Sequence, residues 1–123
     1  MKSHCFRVDP YGVVVETLKS LPDEVKESAN VTDQTLGLTW QDDKDEFSIY
    51  VWLQPSLFCK TKDPSDRLAQ VSTRSSIIVH ETVHIKQFIE RAIGGKLDNE
   101  TEAYLVQKVV EDLAKCLSHL WNL

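Results

Sequence analysis

This 123-residue chain is short of paired cysteines, of basic clusters and of long apolar runs. Its three cysteines, Cys5, Cys59 and Cys116, are odd in number and far apart. No paired spacing links them, which excludes a disulfide framework and a cysteine-type metal site and suits reduced thiols. No apolar stretch approaches the roughly 20 residues of a membrane-spanning helix. The opening "MKSHCFRVDP" has no apolar core, so no signal peptide is expected. A cytoplasmic location without a membrane partner is the expectation. Fourteen Lys and Arg stand against nineteen Asp and Glu, a formal net charge of -5. The basic residues are scattered, and in "CKTKDPSDR" acids interrupt the nearest approach to a cluster. A nucleic-acid footprint needs a basic patch, so no nucleic-acid partner is expected. There is no internal repeat and no low-complexity segment.

What is present is an ordinary globular balance, 41% hydrophobic and 27% charged. A chain of this length buries roughly two-thirds of its unfolded surface, so one domain over residues 1–123 is expected to fold without disulfides or a structural metal. In "PYGVVVETLKSLPDEVKES" the apolar Val14, Leu18, Leu21 and Val25 recur at helical spacing, interrupted by Pro22. They predict a helix over about 11–21 and a short second piece. "TLGLTWQ" and "EFSIYVWL" alternate and flank the polar "DDKD", which predicts a β-hairpin. Residues 54–72 carry two prolines and a Lys/Asp-rich middle and predict a loop.

A helix is predicted from about Thr73 to Ala92, stopped by Gly94 and Gly95. Its β-branched content makes local propensity ambiguous. Its length and lack of alternation favour a helix that is apolar nearly all round and buried. A last amphipathic helix over about 99–120 carries Val106, Val109, Val110, Leu113, Leu117 and Leu120 in one stripe. The fold class expected is α+β: a small antiparallel sheet packed on a buried central helix, with a second long C-terminal helix.

The predicted central helix contains "HETVH", residues 80–84. Residues i and i+4 lie one above the other on a helix face, so His80 and His84 can offer imidazole nitrogens to one ion. Glu81, one position on, can accept a proton from a water beside that ion. This arrangement points to Zn2+ and to hydrolysis through a metal-bound water with Glu81 as general base. A catalytic zinc site keeps three protein ligands and one open position. His4, at the N-terminus, and His119, near the end of the last helix, are candidates for the third without a supporting pattern. No histidine stands after His84 at a short glycine-containing spacing. The last helix opens instead on "NETEAYLVQKVVEDL".

With that segment, residues 75–113 resemble the gluzincin-type HExxH zinc metallopeptidases. The chain length is similar to that of the minigluzincins, and "HExxH…ExEAY" resembles small phage proteins described as metallopeptidases. The resemblance implies a zincin-like fold in which the third ligand is a glutamate at the start of a second, antiparallel helix. In "NETEA" that is Glu100, with Ala103 as the small residue three on. Glu102 is the rival. It falls closer to the apolar stripe, but with Asn99 it also fits a capping box. Thermolysin-like members place an aspartate four residues after the ligand, where this chain has Tyr104. Tyr104 is therefore the named candidate for a transition-state donor to the oxyanion, with Tyr11 and Tyr50 as others.

In the resembled clan a strand preceding the zinc helix often pairs with substrate, and "EFSIYVWL" is the strand nearest in sequence. The function implied is a zinc metallopeptidase acting on a peptide or protein substrate in an extended segment. The alternative is an inactive zinc-binding or protein-interaction module on the same scaffold.

Overall fold

The structure, a computed structural model, describes residues 3–123; the first two residues of the N-terminal "MKSHCFRVDP" lie outside them. Strands β1 (Ser3–Val8), β2 (Val13–Leu18), β3 (Gly37–Gln41) and β4 (Ser48–Leu53) form one sheet in the order β1-β2-β4-β3. The helices are α1 (Asp23–Ser28), α2 (Pro64–Ile93) and α3 (Asn99–Leu120), with a 3-10 turn at Pro55–Leu57. The α+β class is as expected.

The sheet is mixed rather than antiparallel. β1 pairs β2 and β3 pairs β4 antiparallel, but β2 and β4 are parallel neighbours. The predicted hairpin is present as β3 and β4. The predicted helix over 11–21 is instead β2. Val13, Val15 and Thr17 are fully buried and alternate with more exposed neighbours, a strand pattern. The run Val13–Val14–Val15 suits a pleated surface better than a helix, and the helical spacing of Val14, Leu18 and Leu21 is coincidental. Gly12, at φ 71, makes the left-handed turn that folds β1 back on β2.

The predicted loop over 54–72 is also shortened. α2 starts at Pro64, capped by Asp63, whose Oδ1 accepts the Ser65 N–H at 2.8 Å. A capping aspartate followed by proline at the first helical position is a strong start signal. The far end stops at Gly94, left-handed at φ 77, as expected from the glycine pair. α3 runs Asn99–Leu120 and buries Leu105, Val109, Leu113, Leu117 and Leu120. Its cap is Asp98, which accepts from Thr101, and not a box of Asn99 with Glu102.

Both long helices lie on one face of the sheet. α3 covers β1 and β2, and α2 lies against β3 and β4. Between them, Val13, Val15, Ile49, Val51 and Leu53 meet Ile78, Ile85, Ile89, Val109 and Leu113. α2 is buried along one stripe only: Ile78, Glu81, Thr82, Ile85 and Ile89. Leu68, Val71, Val79 and Val83 are exposed, so the helix is not enclosed all round as expected. Among the described residues no helix is long and apolar enough to cross a membrane.

Candidate functional site

At 100° per residue, positions 77 and 81 of α2 point toward β3, and positions 80 and 84 lie further out, past the sheet edge. The contacts agree. A Cβ on Gly37 would stand 2.8 Å from Ile77 Cγ2 and 2.9 Å from Glu81 Oε2. Only glycine allows β3 and α2 to approach this closely there. Thr39, two residues on and on the same face, donates its hydroxyl to Glu81 Oε1 at 2.7 Å. Glu81 is 3% exposed, so this donor meets a carboxyl group that water hardly reaches.

His80 is exposed and His84 half-buried. Their rings stand edge to face, 4.9 Å between centroids and 74° between planes. His84 Nδ1 donates to Gln87 Oε1 at 3.1 Å. That bond puts the hydrogen on Nδ1 and leaves Nε2 with its lone pair. The two Nε2 atoms face each other at 3.3 Å. Two nitrogens about 2.0–2.1 Å from one tetrahedral zinc stand about 3.3–3.4 Å apart. The imidazoles are thus spaced as two ligands of a tetrahedral cation. As the structure stands the contact is a hydrogen bond that His80 Nε2–H donates to His84 Nε2, and His80 would have to give up that proton to join His84 as a ligand.

The other candidates lie elsewhere. Glu102 reaches α2 at Lys86, with Nζ–Oε2 3.5 Å, and Lys86 also pairs with Glu90 at 3.2 Å. The Glu90 side chain, with Glu102 adding, raises Lys86 above the ordinary ammonium value. Position 86 lies about 200° around α2 from position 84. α3 therefore runs along the flank of α2 opposite the imidazoles. Glu100 is exposed on the first turn of that helix. Among the described residues no group of three or more His, Cys, Asp or Glu side chains is gathered for a metal.

Tyr104 is 66% exposed and lines a cavity of about 370 Å³ with Tyr11, Arg7 and Asp9, at the β1 edge. That edge is three strand spacings from β3, about 14 Å. His4 and His119 sit together on the β1 side as well, ring centroids 6.1 Å apart. Tyr50 is on the opposite face of the sheet, stacked on Trp40 and donating to Asp42. None of the three tyrosines shares the space in front of the histidine pair.

The strand nearest that space is β3, not β4. β4 is paired on both sides and has no free edge. Just beyond the two ends of β3, Leu36 O accepts from Gln54 N and Asp42 N donates to Ser48 O. Hydrogen-bonded residues alternate along an antiparallel pair, so the even-numbered residues of β3 bond β4. The backbone N–H and C=O groups of Gly37, Thr39 and Gln41 therefore point away from β4 at the free edge of the sheet, the side on which helical geometry sets His80 and His84.

Three residues of this site were not singled out from the sequence. Gln87 was within reach, because i+3 neighbours on a helix face each other. Gly37 and Thr39 were not, because their partner lies more than 40 positions away across a sheet–helix contact. No protein-family model, no characterised protein and no solved structure matches this chain.

Proposed function

We propose that the chain is a zinc-dependent peptidase of gluzincin type, with a zincin-like arrangement reduced to one sheet and two long helices. The observation that carries this is the facing pair of Nε2 atoms, 3.3 Å apart, beside a buried glutamate. His80 and His84 would hold the metal. Zinc, when bound, polarises a carbonyl and makes a nearby water more acidic.

Glu81 would take the proton of the attacking water and return it to the leaving amine, and to do so its carboxyl group, 3% exposed and bonded to Thr39, must turn out to the side of the imidazoles. Thr39 and Gly37 hold that carboxyl group against β3. The outward backbone groups of Gly37, Thr39 and Gln41 suit an extended peptide that pairs as a fifth strand. Such a strand would lie directly over the two imidazoles. Glu100 is the third ligand the resemblance implies, and bringing it to the pair requires α3 to leave the Lys86 flank.

The position of α3 and of the three tyrosines favours a second reading, a zinc-binding module that holds a peptide strand without cutting it. Zinc counting on purified protein, with peptide-library cleavage by wild type and Glu81→Gln, separates the two. A variant that keeps zinc and loses cleavage supports the peptidase. Zinc without cleavage in either protein supports the module. No bound zinc in the wild type overturns both.

A further inference from the structure

The face of the sheet away from α2 and α3 carries a groove of about 780 Å³ between α1 and β3. Trp40 and Tyr50 form its wall, stacked with ring centroids 5.5 Å apart and 27° between planes. Its lining includes three carboxylates, Glu24, Asp42 and Asp43, and no lysine or arginine. Asp42 is held below the usual carboxylate range, first by the Lys44 N–H and also by the Tyr50 hydroxyl. Lys44 bears on it from the turn, outside that lining. An aromatic face beside anionic groups attracts a cation, an ammonium or more often a guanidinium.

The groove is continuous with the free edge of β3, because Thr39 and Gln41 also line it. Side chains of a β-strand point alternately to the two faces of the sheet. A strand paired to β3 would turn one side chain toward His80 and His84 and its neighbours toward Trp40 and Tyr50.

We infer that the Trp40–Tyr50 groove is a specificity site that takes a lysine or arginine side chain of the extended peptide paired to β3. This rests on the proposal that a peptide adds to that edge; it does not require the peptide to be cut. Charge complementarity identifies the occupant. The lining holds three acids and no base, and the wall is two stacked aromatic rings.

The test uses full-length Glu81→Gln protein and fluorescent extended-peptide libraries, identical except for one fixed position holding arginine, citrulline or glutamate. Citrulline keeps the shape of arginine and removes its charge. Arginine libraries should bind about tenfold tighter than citrulline libraries, and glutamate libraries weakest. Trp40→Leu should erase the preference. The double variant Glu24→Lys and Asp43→Lys should shift it toward glutamate even if Trp40→Leu proves unstable. Equal binding of arginine and citrulline, or a preference that survives both variants, overturns the proposal. Absence of peptide binding overturns it too. Loss of wild-type cleavage in Glu81→Gln is scored separately. The peptidase assignment therefore stands or falls on a different readout.

Discussion

Thr39 on the edge strand donates a 2.7 Å hydrogen bond to Glu81 on α2, residues 42 positions apart in the chain. The bond is the polar link between the free edge of the sheet and the HETVH turn. It gives a buried carboxyl group a fixed direction and couples the fold to the site.

Thr39→Val removes that donor and keeps the shape. Leaving a buried acceptor unsatisfied costs about 1–3 kcal/mol, which urea denaturation will read as a lower midpoint at unchanged slope. Thr39→Ser should recover most of the loss. Should the valine variant be as stable as wild type, Glu81 does not depend on this contact.

Gly37→Ala pushes a methyl group against Ile77 and Glu81. Both side chains must shift, and Glu81 is buried and bonded to Thr39, so the expected cost is about 1–3 kcal/mol. In the peptidase reading it also lowers turnover, because Glu81 is displaced. The same substitution at Gly95, around which no atom would meet the new Cβ within 4 Å, should leave turnover unchanged.

Gln87 holds His84 by its Nδ1. If the pair binds zinc, Gln87→Ala should weaken zinc affinity about 10–100-fold, as loss of a ligand's orienting partner commonly does. His80→Ala and His84→Ala should abolish stoichiometric zinc altogether. Competition with a chromogenic chelator measures both. Equal affinity in Gln87→Ala and wild type would show that the bond does not orient the ring for metal.

Asp98 caps α3, and its carboxyl group is held below the usual range by the Thr101 N–H and hydroxyl. The folded value is depressed, so the stabilisation is fully present above the unfolded value near 3.9 and is lost as pH falls through the folded one. Asp98→Asn keeps an acceptor for the amide and removes the charge. Below about pH 4 the variant and wild type should converge in thermal midpoint, and above it the wild type should be the more stable. A constant gap across pH 2–7 would exclude the charge as the cause.

The parts of the fold legible in the sequence are those written in local periodicity. α3 was readable because Val109, Leu113, Leu117 and Leu120 repeat at helical spacing, and the end of α2 because Gly94 can take the left-handed conformation. β2 was not readable as a strand, since Val14, Leu18 and Leu21 fit a helix and the alternation of Val13, Val15 and Thr17 fits a strand. Only pairing with β1 and β4 decides between them. The parallel pairing of β2 with β4 leaves no local trace. Within the site, the spacing of His80, Glu81 and His84 placed two imidazoles together and a carboxyl group beside them. The position of Glu100 was not legible, because it depends on which flank of α2 receives α3. The Lys86–Glu102 contact, seen only in three dimensions, shows that flank.

α2 is continuous in hydrogen bonding but not in protection. Its 30 residues span about 45 Å. Its buried residues begin only at Ile78. The turns before that bury no side chain and are held at two points, Gln70, which donates to Ser56 O and Cys59 O, and Arg74, which donates to Leu57 O. Amide hydrogen exchange should therefore run along this single helix as a gradient, fast from Pro64 to about Ser76 and slow from Ile78 onward. His80 and His84 stand just inside the slow half. The N-terminal turns can open and close without loosening them, so motion at one end of α2 need not reach the other.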